Sequence, residues 1–267
     1  MIKNITMGQY IPGNSLLHRA DPRTKIIWTV LLLIALFTAN NIYGFVMMIA
    51  LVGIILIISE IKVSYTLRGI KPLLIILIIT SLINIFTYPG NTVLVSAGSF
   101  RITLEGIFQA IIIALRLSLM VIIGSVLTLT TTPIALTDGL EKLMRPLKKL
   151  KIPVHEMAMM MSIALRFIPT LLEETDRIIK AQSSRGADFD TGNFIEKAKS
   201  FIPVLIPLFV SAFKRAEELA TAMESRCYRG DIGRTRMKEL AYTKDDRNIN
   251  LFLVMFFIVF IISTFII

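Results

Sequence analysis

The chain has 267 residues, is 54% hydrophobic with a mean hydropathy of +0.70, and carries a formal net charge of +10. A soluble domain is nearer about 45–50% apolar, so this composition excludes an ordinary soluble globule and points to a polytopic membrane protein. The charge predicts no nucleic-acid partner, because Lys and Arg collect in the cytoplasmic loops of membrane proteins. A single cysteine, Cys227, excludes an internal disulfide and any cysteine-based metal cluster.

Lipid cannot satisfy exposed backbone groups, so the long apolar runs must be helices. Residues 26–58 form one apolar stretch broken only by Asn40-Asn41 and Gly44. As one helix it would reach roughly 50 Å, against a hydrocarbon core of about 30 Å. Cations flank it on both sides: His18, Arg19, Arg23 and Lys25 before, Lys62, Arg68 and Lys71 after. Both ends belong in the cytoplasm, which requires two passes and a tight turn at 40–44. A third span follows at 71–88, an outer turn at Tyr88-Pro89-Gly90-Asn91, and a fourth span within 103–131. The first apolar run has no cleavage site behind it and reads as retained, not as a removed signal peptide.

Residues 132–248 hold 20 of the 29 Lys and Arg and 16 of the 19 acids. A fifth span at 249–267 ends the sequence. The expected organisation is therefore transmembrane helices over 1–131 behind a cytoplasmic N-terminus, a cytoplasmic region over 132–248 and a final transmembrane helix over 249–267. The fold class is an all-α membrane protein with about five transmembrane helices and long amphipathic cytoplasmic helices. In one of these, Met157, Met160, Met161, Ala164, Leu165 and Ile168 recur at helical spacing, which predicts core or helix–helix packing. Pro169, Pro203 and Pro207 are expected to kink their helices.

Two lines near the hydrophilic ends of these helices nearly repeat: AQSSRGADF at 181–189 and AMESRCYRG at 222–230. Gly186 suits a helix C-terminal cap, and Arg185 and Arg226 suit the negative end of a helix dipole. Capping does not call for Ala-x-x-Ser-Arg twice, so the duplication suggests two similar receptors.

Catalytic signatures fail. No G-x-x-x-x-G-K-[S/T] phosphate loop exists; the stretch from Gly230 to Thr235 lacks both spacing and lysine. His155-Glu156 opens a zinc-protease motif, but Met159 stands where the second histidine belongs. No enzyme activity, cofactor or metal site is expected. Within the spans, Asn84, Gln109 and Arg116 are the polar residues, with Arg116 read as pairing internally, Glu105 lying near it, or as snorkelling.

Four stretches together carry a family resemblance: GQYIPGNSLLHRADPRTKI at 8–26, LTLTTTPIALTDGLEKLMRPLK at 127–148, HEMAMMMSIALRFIP at 155–169, and the two Ser-Arg lines. Over essentially its whole length the chain resembles the transmembrane T component of energy-coupling factor transporters, the ABC-type importers of vitamins and metal ions. The family's two docking motifs typically read Ala-Arg-Gly. Here they read Ser184-Arg185-Gly186 and Ser225-Arg226-Cys227.

The resemblance implies two coupling helices whose tips dock on two homologous ATPase subunits. It also implies an integral-membrane substrate-binding S component, membrane lipid around the spans, and a multi-pass location in a bacterial cell membrane. In this reading the chain couples ATP hydrolysis to reorientation of the S component for vitamin uptake. The alternatives are a T component dedicated to cobalt or nickel, or a secondary transporter, for which the intramembrane acids and paired broken helices are missing. With Cys227→Ser as background, single cysteines near position 190 are expected to resist impermeant thiol reagents in intact cells; labelling there from outside overturns the topology.

Overall fold

The computed structural model describes residues 10–39, 41–90, 92–97, 100–189, 193–230 and 239–266. Asn40, Asn91 and the 231–235 part of the tested phosphate-loop stretch lie outside the described residues. The chain forms two compact units, residues 141–239 and residues 8–140 with 240–267.

The second unit begins with a short turn of helix, α1 (Leu16–Arg19), and then α2 (Pro22–Thr38). Asp21 caps α2, its Oδ1 accepting from the Arg23 N–H at 2.8 Å, and Pro22 occupies the first turn, where no N–H is needed. Helix α3 (Ile42–Ser59) follows. The break falls at 39–41, with Ala39 and Asn41 both extended, whereas Gly44 sits inside α3 and is buried there. Next, α4 (Val63–Ile70), a 3₁₀ turn at Lys71–Leu73 with Pro72 in it, and α5 (Leu74–Thr87) run on as one apolar stretch. The third span thus opens eight residues earlier than the sequence reading placed it, and carries Arg68 and Lys71 within it.

A hairpin not anticipated from sequence follows, β1 (Val93–Ala97) antiparallel to β2 (Phe100–Thr103), with Val93 opposite Thr103. Its strands satisfy each other's backbone groups outside any helix. Thr103 then caps α6 (Leu104–Thr130), accepting from the Gly106 N–H at 3.1 Å. Helix α7 (Pro133–Met144) leads on to the other unit, and α11 (Lys244–Ile266) returns.

Among the described residues, four stretches are long and apolar enough to cross a membrane: Ile42–Ser59, Val63–Thr87, Leu104–Thr130 and Lys244–Thr264. The first pass of the expected five, α2, has 17 residues, about 25 Å against a core of about 30 Å. The protein is an all-α membrane protein.

Helices α2, α3, α6 and α11 share the core of this unit, with Leu36, Met48 and Leu51 fully buried. Arg116 on α6 does not pair with Glu105, whose oxygens accept from Thr92. Its Nη2 donates to the Ala39 carbonyl at 2.8 Å, and the guanidinium lies 5.2 Å from the Phe45 ring centre. A cation therefore sits at the negative end of α2, a structural role.

A second fastening ties the two ends of the chain. Thr243 and Asp246 form a reciprocal cap at the start of α11, with the Asp246 Oδ2 accepting from the Thr243 N–H and Oγ1, each at 2.8 Å. The other oxygen, Oδ1, accepts from the Asp21 N–H at 2.7 Å. Asp21 in turn holds Arg23, which stacks 4.2 Å over the Tyr242 ring. Asp246 is fully buried. Its loss would undo the cap at Thr243 and leave the buried Asp21 N–H without this partner, at about 1–3 kcal/mol for the buried donor. Asp246→Ala is therefore expected to lower the thermal unfolding midpoint of the detergent-solubilised protein sharply, and the change Asp245→Ala at its half-buried neighbour to lower it far less.

Candidate partner-docking site

The unit 141–239 is built on two long helices, α8 (Val154–Ser184) and α10 (Ile202–Ser225), with a short α9 (Phe194–Ser200) capped by Asn193 and Glu196 between them. Helix α8 continues through Pro169. Pro203 lies in the first turn of α10, where proline fits without a kink, contrary to the sequence expectation; Pro207 is inside the helix.

The pair is antiparallel. Ile163, Phe167 and Leu171, one turn apart, face Ala212, Ala216 and Leu219, and the alanines allow close approach. In the middle of the seam Glu174 accepts from Ser211 Oγ at 2.5 Å and from Arg215 Nη2 at 2.6 Å. At one end the Tyr228 hydroxyl donates to Met159 Sδ at 3.0 Å, beside the start of α8. The end of α10 therefore lies by the beginning of α8. Twenty-six residues of helix separate Met159 from Arg185, roughly 39 Å at about 1.5 Å per residue. The two repeated lines stand at opposite ends of the pair.

Their local geometry is the same. After α8, Arg185 is the cap residue and Gly186 has φ +90; the Gly186 N–H donates to Ser183 O and the Ala187 N–H to Gln182 O, both at 3.0 Å. After α10, Arg226 is the cap and Cys227 has φ +58; the Cys227 N–H donates to Glu224 O at 2.9 Å and the Tyr228 N–H to Met223 O at 3.0 Å. Each set is the paired six-to-one and five-to-two closure of a Schellman motif. Cys227 thus takes the left-handed position that glycine takes in the first copy.

The serines bond back to their own helices, Ser184 Oγ to Lys180 O and Ser225 Oγ to Ala222 O, each at 3.0 Å. This leaves the arginines as the projecting polar groups. All six residues, Ser184, Arg185, Gly186, Ser225, Arg226 and Cys227, are exposed. Neither guanidinium has a partner among the described residues.

The methionine stripe departs from expectation. Met157, Met160, Met161 and Ile168 are exposed, Met160 at 58%, because the face turned to α10 is the one carrying Ile163, Phe167 and Leu171. Helix α10 adds Ile202, Leu205, Ile206, Phe209, Val210 and Phe213, the last 74% exposed. Apolar faces this long mark a protein or membrane partner. His155 Nδ1 lies 3.0 Å from Glu141 Oε1; among the described residues no His, Cys, Asp or Glu group could hold a metal ion.

Sequence reasoning missed Glu174, Ser211, Arg215 and Tyr228. Charged pairs on amphipathic helices are common, and nothing in their spacing discloses an antiparallel register.

The architecture defines an all-α, multi-pass membrane protein with a long antiparallel helix pair. The family model described as CbiQ, cobalt transport protein, matches residues 13–238. The chain is 62% identical to the energy-coupling factor transporter transmembrane protein EcfT of Ruminiclostridium cellulolyticum, covering 92% of each chain. It is 52% identical to that of Brevibacillus brevis, over 92% of this chain and 93% of the relative. Against the Bacillus subtilis protein of the same name it is 46% identical over 93% and 94%. The chain belongs to this family of energy-coupling factor transporter transmembrane proteins, and is a multi-pass protein of a bacterial membrane.

The left-handed conformation costs a non-glycine residue about 1–2 kcal/mol. Cys227→Gly is therefore expected to slow amide hydrogen exchange at the end of α10. Gly186→Ala should speed it at the end of α8 by a comparable free energy, each measured on the other tip as internal control.

Proposed function

We propose that the chain is the non-catalytic coupling subunit of an energy-coupling factor importer, linking ATP hydrolysis by two homologous ATPase subunits to reorientation of an integral-membrane S component. One observation carries the reading: two tips with the same cap and the same projecting arginine, about 39 Å apart by helix length. A single small pocket cannot accept both, but two copies of one groove, on two related subunits, can.

The mechanics follow from the seam. Closure of the ATPase pair on ATP moves the two grooves, and a docked guanidinium follows because its fork pairs bidentately with a carboxylate. Helices α8 and α10, clamped at Glu174, pass the displacement to the exposed apolar faces of Met157–Ile168 and Ile202–Phe213. Those faces suit the S component's own apolar surface. Substrate chemistry then resides in the S component. Vitamin uptake by a module shared among S components is the first reading of the substrate class. The family description as cobalt transport protein favours, as the second reading, a module dedicated to a metal ion.

Losing one partner of a buried, hydrogen-bonded charge pair across an interface costs roughly 2–5 kcal/mol, whereas a charge at a helix end contributes about 0.3–1 kcal/mol. Arg185→Ala and Arg226→Ala are each expected to keep one ATPase attachment and weaken transport, with membrane insertion intact. The double variant should lose both ATPases in pull-downs, and Arg→Lys should also impair. Full recovery of both ATPases by the double variant would reduce the arginines to caps.

A further inference from the structure

The stretch Val63–Thr87 is long and apolar enough to cross a membrane, yet it carries two cations, Arg68 on α4 and Lys71 at the turn into α5. Both are exposed, and neither has an acidic partner among the described residues. Glu60, the acid nearest to them in the sequence, is exposed too and forms no ion pair among the described residues. The 25 residues of this stretch reach about 37 Å as helix, against a hydrocarbon core of about 30 Å. With Thr87 at the far boundary, the near boundary falls close to Arg68. The two cations therefore stand at the edge of the hydrocarbon, where a charge must be paired or reach the headgroups.

Three residues apart, Arg68 and Lys71 are neighbours on one face, and like charges so placed repel. The Arg68 guanidinium lies 5.2 Å from the Tyr65 ring centre, and its N–H donors have no partner among the described residues. Another side of α4 is taken by α6. Thr66 is buried, and a Cβ on Gly69 would come within 2.8 Å of Ser125 Oγ and 3.5 Å of a Val121 methyl, both uncharged neighbours. Past the cations, the spacing of three and four residues continues through Ile75, Ile78 and Leu82, all exposed. The row is cationic at the boundary and apolar beyond it.

A ligand that fits such a row is anionic at one end and hydrocarbon for the rest. We propose that Arg68 and Lys71 hold the phosphate of one anionic phospholipid, with an acyl chain lying along Ile75, Ile78 and Leu82. The guanidinium fork takes two phosphate oxygens and the ammonium adds a compact charge. Tyr65 supplies the interfacial ring beside them. The phosphate offsets the repulsion between the two cations and sets the depth of this span. The apolar continuation favours a lipid over a partner's carboxylate. The site is independent of the arginine tips and of the partners they grip.

Native mass spectrometry of the full-length protein in detergent reads lipid retention directly. Palmitoyl-oleoyl phosphatidylglycerol and the phosphatidylcholine with the same chains are titrated separately. One phosphatidylglycerol per chain is expected to be retained, half-saturating at about a tenth of the phosphatidylcholine concentration. Arg68→Gln and Lys71→Gln should each raise that half-saturating concentration about fivefold, the usual effect of one cation at an anionic surface. Lys149→Gln, at an exposed cation outside the row, should leave it unmoved. Arg68→Lys, which keeps the charge and loses the fork, should fall between, and it serves if the glutamine variants do not fold. Equal retention of the two lipids by the unaltered protein overturns the proposal without any variant. So does full displacement by millimolar inorganic phosphate, which would make this a site for a free anion. Loss of the retained lipid when partner subunits bind would assign the cations to a protein instead and overturn it as well.

Discussion

Glu174 reaches across from α8 to both Ser211 and Arg215, and the register it locks governs everything at the periphery of residues 141–239. Antiparallel packing sends the end of one helix towards the start of the other. The two arginines are thereby held at opposite ends of one stiff pair instead of side by side. The same packing turns Ile163, Phe167 and Leu171 inward, and so leaves the methionine face and the Phe209–Phe213 face exposed among the described residues. A parallel pair would have brought the tips together.

The tips show how little of a repeated motif must be kept. The Schellman closure is made of backbone groups, so any residue that tolerates a positive φ can stand at its turning point. Glycine does so without strain and cysteine at moderate cost. The serines are small and bond to their own helices, which makes them neutral fillers. What is left in common, in chemistry, is the guanidinium. On the proposed reading a partner recognises that group and the bare backbone around it.

In the membrane-spanning unit, most buried polar groups are answered, Thr66 Oγ1 and Arg116 Nε being exceptions beside Thr24 Oγ1 among the described residues. Asp246 answers the first amides of α11 and the Asp21 amide together; Arg116 answers a carbonyl at the end of α2. The stretch HRADPR, which helps to carry the family resemblance, turns out to be a helix cap and its clamp. A family signature can mark an architectural joint as readily as a contact with a partner. Thr24 is a position where that bookkeeping stays open among the described residues.

The sequence by itself determined the class: apolar runs too long for any soluble fold, cations gathered in blocks, and a twice-written Ser-Arg line at two helix ends. These are signals of composition and local periodicity, and they do not depend on what packs against what. It could not place the break at 39–41, because Asn41 and Gly44 are both plausible turn residues and only packing put Gly44 inside a helix. The hairpin at 93–103 was also hidden, since the sequence placed this segment only as an outer loop between two spans. Nor could the sequence choose which face of α8 is buried, because two apolar stripes lie on that helix and the alanines of α10 select one. The antiparallel register, and with it the separation of the two tips, was decided only in three dimensions, by contacts between residues 37 to 69 positions apart in the chain.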